Sequence, residues 1–353
     1  MNTPALFSRG LPTESGFVLF IPAMKELQAI VRHLTSPASG TSVLATLVTV
    51  EGSSYRRPGA RLLVLENGTR IGSISGGCLE EDVMARARRV LETGIAETVV
   101  YDTTSENDLI WGVGLGCHGI VRVLIERLAP RPDWAEVLST NFSQRHPTTF
   151  RVVHDAPAAR ELGTKLATDS SPSINGTFVE IVPPPTALFV FGAGDDAQPL
   201  VRLGKELGWH VTVADTRPQF TTAERFPTAD RLIVGPAAEL VGRAAPDSSA
   251  LAVVMTHHYV HDVPILRSLL PRPLRYLGLL GPRKRADKIL GDLAAEGLVV
   301  TPESRARLHA PVGLDLGADA PEQVALAMVA EMQSVLAGRN AQPLHLRQRP
   351  IHA

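Results

Sequence analysis

Ala187-Leu188-Phe189-Val190-Phe191-Gly192-Ala193-Gly194-Asp195-Asp196-Ala197 decides how the second half of this chain is read. Five apolar residues without a polar interruption suit a strand buried on both faces. They run straight into Gly192-Ala193-Gly194 and then into a helical pattern over 198–207. In that context the first glycine permits a tight turn and the second lets a phosphate approach the backbone, while the helix N-terminus offers N–H groups and partial positive charge. Ala197 supplies the small residue needed at the sixth position. Asp215 follows Gly192 by twenty-three positions, just beyond the next apolar run at 210–214. A carboxylate there either hydrogen-bonds a ribose or caps the Thr216-Arg217-Pro218 turn. Asp195 and Asp196 would repel a pyrophosphate unless they face away or cap the helix.

Further along, strand-like runs at 231–234, 250–255 and 275–279 alternate with helical patterns at 263–270, 283–293 and 321–336. The alternation predicts an α/β fold, a Rossmann-type doubly wound parallel sheet over 187–340, followed by a tail at 341–353. Pro183-Pro184-Pro185 makes a stiff linker at 183–186 that no sheet interior would tolerate. Before it, 23–182 reads as a mixed α+β domain. It opens with a helix at 24–34 and a strand at 42–50. A hairpin at 61–65 and 69–73 turns on Glu66-Asn67-Gly68, and a helix at 80–93 stops at Gly94. Strands at 97–101 and 120–125, a helix at 133–142, edge strands at 148–153 and 177–182, and a polar loop at 168–176 complete it. Residues 1–22, with Pro4, Pro12 and Pro22, read as an extension.

The chain has 353 residues, a size that calls for two cores. Hydrophobic residues make up 44% and charged residues 20%, so both cores can be apolar. A net charge of −1 gives no overall field that would draw the chain to nucleic acid or an anionic membrane. Cys78 and Cys117 are the only cysteines, which argues against a disulfide-stapled secreted protein. The apolar run at 17–21 is too short for a membrane span and lacks a basic leader. A cytoplasmic protein is expected.

Three stretches of the first half carry chemistry. Gly52-Ser53-Ser54-Tyr55-Arg56-Arg57-Pro58-Gly59-Ala60 joins hydroxyls and guanidinium groups in one loop. It could hold a phosphate or carboxylate, or its arginines could pair with surface acids. Ser75-Gly76-Gly77-Cys78-Leu79-Glu80 sets a thiol before a helix, where it gains nucleophilic or metal-binding character. Gly114-Leu115-Gly116-Cys117-His118-Gly119 sets the second thiol in open backbone. Thirty-nine positions separate the thiols, so they form no zinc knuckle. They are soft-metal or sulfur-handling groups, or inert core thiols. In the second half, His257, His258 and His261 follow a strand end; they could bind a metal or, with Asp262, cap and bridge a helix start.

Together with Asp215-Thr216-Arg217-Pro218 and Thr256-His257-His258, these motifs resemble the xanthine dehydrogenase accessory protein (XdhC/CoxI) family from about Met24 to Gly338. The resemblance implies a dimeric chaperone that binds the molybdenum cofactor, as molybdopterin or its nucleotide form. It would aid sulfuration by a cysteine desulfurase and delivery to a molybdenum hydroxylase such as xanthine dehydrogenase. Ser53, Ser54, Arg57, Gly76, Gly77, Cys78, Gly116, Cys117, Gly192, Gly194, Asp215, Arg217, His257 and Arg283 are the residues expected to contact it, with Cys78 and Cys117 near molybdenum or sulfur. The loops of both halves are expected to serve one ligand. The other function open to the second half is an NAD(P)-dependent oxidoreductase. Two departures from the family stand out: Asp195 where relatives carry His, and Gly281-Pro282 where they carry Gly-Ser. Proline there removes an N–H donor.

Overall fold

The computed structural model describes residues 24–102, 119–167 and 175–348. The chain divides into two compact units between Pro184 and Pro185.

In the first unit, α1 (Met24–Leu34) leads into β1 (Ser42–Gly52), followed by the hairpin of β2 (Arg61–Leu65) and β3 (Arg70–Gly72). Next come α2 (Glu80–Thr93), β4 (Glu97–Asp102), β5 (Gly119–Leu128) and α3 (Asp133–Gln144), then β6 (Thr148–Val153), β7 (Gly163–Leu166) and β8 (Thr177–Val182). Five strands form an antiparallel sheet in the order β3-β2-β1-β5-β4. Alternation along β1 sends Val43, Ala45 and Leu47 to the face covered by Val83, Ala87 and Val90 of α2. Leu44 faces the cluster built with α1 and α3. A register shift in the β1–β5 pairing falls between Leu47 and Thr49.

The sequence reading of 148–153 and 177–182 as edge strands is half right. β6 is the centre of a separate sheet ordered β7-β6-β8, because β7, which the sequence reading missed, pairs with its other side. Arg61 of β2 donates to Glu180 of β8 at 2.6 Å, with both side chains buried. Glu126 of β5 accepts from the Thr164 backbone N–H at 3.0 Å and from its hydroxyl at 2.5 Å. Burial pushes the Glu126 carboxyl above its ordinary value, and the bonds from Thr164 only partly offset this.

The second unit alternates throughout: β9 (Ala187–Phe191), α4 (Ala197–Glu206), β10 (His210–Asp215), β11 (Arg231–Val234), α5 (Ala237–Ala244) and β12 (Leu251–Val254). It continues with α6 (Tyr259–Leu269), β13 (Tyr276–Leu279), α7 (Arg283–Ala295), α8 (Pro302–Arg307), β14 (Leu308–His309) and α9 (Pro321–Ala337). All pairings in this sheet are parallel and its order is β11-β10-β9-β12-β13-β14. Numbered within the unit, that is 3-2-1-4-5-6, the doubly wound dinucleotide-fold order. Phe189 and Phe191 pack with Leu240, Leu266 and Ile289 on one face. Leu188 and Val190 pack with Leu200, Met328 and Met332 on the other. Both faces of the central strand are therefore apolar, as the uninterrupted run at 187–191 predicts. Among the described residues no helix is long and apolar enough to cross a membrane.

Candidate functional site

Two of the three first-unit stretches, Gly52–Ala60 and Ser75–Glu80, meet where Gly76 packs on Tyr55. Gly52, at the end of β1, pairs with Gly119, at the start of β5. A Cβ on Gly119 would overlap the Ser53 carbonyl and lie 2.8 Å from the Glu51 carbonyl, so only glycine lets the two backbones meet there. Tyr55 is 67% exposed and its ring lies against Gly76; a Cβ built on Gly76 would sit 3.6 Å from the ring edge. Gly76 and Gly77 are exposed, Ser53 is exposed, and Ser54, Arg57 and Cys78 are half-buried. The Cys78 thiol is free. Arg56 turns back to Glu26 of α1, with bonds of 3.0 and 2.5 Å, which is the acid-pairing alternative for that arginine.

Glu80 holds the Ser75–Cys78 turn from beneath. Its carboxylate accepts from Ser73 Oγ and the Ser75 N–H, both at 2.9 Å, and from Ser75 Oγ. Ser75 Oγ in turn accepts from Gly77 N and Leu79 N at 3.2 Å. Burial opposes ionisation of Glu80, but these hydrogen bonds outweigh it and hold the carboxyl below its ordinary value. The result is a rigid base under open glycine backbone, with a thiol beside it. Gly116 and Cys117 lie outside the described residues.

In the second unit the chemistry collects at the C-terminal ends of β9, β10 and β12, where the strand order reverses and α/β folds bind ligands. Gly192 has φ +128°, and a Cβ there would overlap the Met255 carbonyl, so the ends of β9 and β12 close on each other only through glycine. Asp215 is buried and accepts from Ala193 N at 2.6 Å, Arg217 N at 2.9 Å and the Arg217 guanidinium at 2.9 and 3.0 Å. Burial disfavours its charge, yet the bonds from Arg217 and Ala193 prevail and depress its pKa. Arg217 stacks over Phe220 at 4.4 Å, and Arg225 lies 5.1 Å from the same ring. Arg225 also donates to Asp195 at 2.8 Å and to the Ala193 carbonyl at 3.3 Å. The Asp196 carboxylate accepts from His257 Nε2 at 2.7 Å.

Residues 38–102 match the family model described as the XdhC and CoxI family, and residues 188–332 match the XdhC Rossmann domain. A probable xanthine dehydrogenase subunit of Bacillus subtilis is 34% identical over 313 residues, spanning 82% of this chain and 92% of the relative. This chain belongs to the XdhC and CoxI family. The molybdenum cofactor insertion chaperone PaoD of Escherichia coli is 24% identical over 294 residues, 83% of each chain. A crystal structure of a xanthine dehydrogenase from Bacillus halodurans covers 91% of this chain and 99% of its own, at 29% identity and a TM-score of 0.76.

Within this XdhC and CoxI family member the three histidines do not converge. His257 meets Asp196, whereas His258 and His261 face each other at 5.5 Å. Among the described residues no group of three or more His, Cys, Asp or Glu forms a metal-ligand set. Asp262 is buried and braces the start of α6, accepting from Thr256 Oγ1 at 2.5 Å and from Arg285. Arg283 is exposed on the first turn of α7; Arg285, two positions on, reaches Asp262 and the His257 carbonyl. Arg225 and Arg285 were missed by sequence reasoning, and only the acids near their folded positions could have flagged them.

Proposed function

We propose that this chain is a cytoplasmic maturation factor for a molybdenum hydroxylase of the xanthine dehydrogenase type. It binds the molybdenum cofactor as cargo, holds it while a cysteine desulfurase supplies the sulfido ligand, and passes it on, working as a homodimer. The observation that supports the reading is the pair of close approaches that glycine permits, Gly119 to Ser53 and Gly76 to Tyr55, in the loops that carry Ser54, Arg57 and the free Cys78 thiol, in a chain related over 83% of its length to a molybdenum cofactor insertion chaperone.

The cargo offers a flat pterin with amide edges, an anionic phosphate and a soft dithiolene-bound metal. Exposed backbone at Gly76 and Gly77 suits the pterin edges, and the Tyr55 ring suits its face. The hydroxyls of Ser53 and Ser54 and the Arg57 guanidinium suit the phosphate. Cys78, and with it Gly116-Cys117, suits molybdenum or a transferable sulfur. Gly192, Gly194, Asp215, Arg217, His257 and Arg283 are proposed as a separate second-unit contact surface, for parts of the cargo other than a phosphate.

Activation of a cofactor-free molybdenum hydroxylase, with molybdenum cofactor and desulfurase supplied, tests the reading. Cys117→Ala is expected to impair activation more than Cys78→Ala does. Full activation by both variants would remove the thiols from the mechanism.

A further inference from the structure

The Gly192–Gly194 turn has the backbone of a phosphate cradle, and a carboxylate of the chain itself lies over it. In a dinucleotide fold the second glycine is bare so that pyrophosphate can approach its α-carbon. A Cβ built on Gly194 would lie 2.6 Å from Asp196 Oδ1, so the Asp196 side chain covers the approach that the missing Cβ leaves open. Asp196 sits at the cap position of α4 but makes no side-chain cap bond to that helix. Instead its other oxygen is held by His257 from the β12 turn. His257 has φ +61°, a left-handed conformation that a non-glycine residue adopts at a cost.

The remaining features that a dinucleotide needs are also engaged internally. The Ala193 N–H is given to Asp215, and both oxygens of Asp215 are taken up by Arg217. Asp195 is a different case: it is 82% exposed at the side chain and drawn aside by Arg225.

From this geometry we propose that Asp196, latched by His257, excludes phosphate from the glycine turn, so that the Rossmann unit does not take a nucleotide's pyrophosphate there. A phosphate entering the turn would meet a like charge at contact distance in a partly desolvated crevice, where Coulomb repulsion is much larger than in water. Exclusion at the turn is independent of whether the first unit carries the molybdenum cofactor.

Calorimetric titration of the full chain with inorganic pyrophosphate and with NADH tests it. The unsubstituted protein is expected to give no saturable heat with either probe. Asp196→Ser, which places a residue favoured at helix caps, and Asp196→Asn, which keeps the shape without the charge, should each give saturable pyrophosphate heat, at least about tenfold tighter than the weakest binding the titration detects. Asp195→Asn removes the same charge one position away and should bring no comparable gain. Saturable binding of either probe by the unsubstituted chain would overturn the proposal. So would the lack of a gain in both Asp196 variants, with cooperative melting showing them folded, or an equal gain in Asp195→Asn.

Discussion

The two units share one use of buried charge and differ in another. In the first, the Arg61–Glu180 ion pair and the Glu126 carboxylate lie in the interior, while the buried Glu80 holds the Ser75–Cys78 turn of the candidate site. In the second, both faces of the sheet are apolar, and the buried acids Asp215 and Asp262 stand at or beyond strand ends, beside the candidate site. Buried acids therefore shape site loops in both units, Glu80 in the first and Asp215 and Asp262 in the second, and in the first unit buried charge also ties β2 to β8.

Arg61→Met tests the tie between β2 and β8 and should have the largest effect. It leaves Glu180 buried without its cation and should destabilise the protein by about 3–5 kcal/mol in denaturant unfolding. Replacing Glu180 with Met as well should restore most of the loss, since the pair is then exchanged for apolar packing. A single-variant cost near zero would mean that the ion pair does not tie the two strands.

Gly192→Ala probes the second unit. Its φ of +128° and the Met255 carbonyl in the path of a Cβ leave no room for alanine. A loss of about 2–3 kcal/mol is expected, read from the thermal midpoint. Gly68→Ala, where open space surrounds the Cβ but φ is +81°, should cost less.

The smallest effect is in pH dependence, where Asp215 and Glu126 should contribute with opposite sign. Asp215 has its folded pKa below the ordinary 3.8, so its stabilisation is present above 3.8 and lost as pH falls through the depressed value. Glu126 has its folded pKa above the ordinary 4.5, so stability is lost as pH rises through 4.5 and the unfolded chain ionises first. Each group changes stability by at most about 1.4 kcal/mol per pH unit. Glu126→Gln should remove the loss on the alkaline side and Asp215→Asn the loss on the acid side, as measured by denaturant midpoints from pH 3 upward.

Much of the architecture is legible in local sequence because local chemistry determines it. Asn67-Gly68 makes the hairpin, Gly94 ends α2 in the left-handed conformation, and the apolar run into Gly192 makes the strand, turn and helix. What escaped reading depends on distant partners. β7 has four residues and β14 has two, too few to show alternation, and each is a strand only because β6 or β13 pairs with it. α5 has eight residues with Gly242 among them and α8 has six, too short for an apolar stripe to stand out in the sequence. At the site, Asp215 at a strand tip was readable, but its engagement with Arg217 and Ala193 was not. The latch between Asp196 and His257 joins residues sixty-one positions apart, which no local pattern reports.

Carriage of the molybdenum cofactor is the property on which the functional reading rests. The deciding measurement is the amount of molybdopterin that stays with the purified protein through gel filtration, compared with the Cys117→Ala variant. Stoichiometric retention by the unsubstituted chain and clear loss in the variant are expected. Failure of the unsubstituted chain to retain molybdopterin, under conditions where another insertion chaperone does, would contradict the reading.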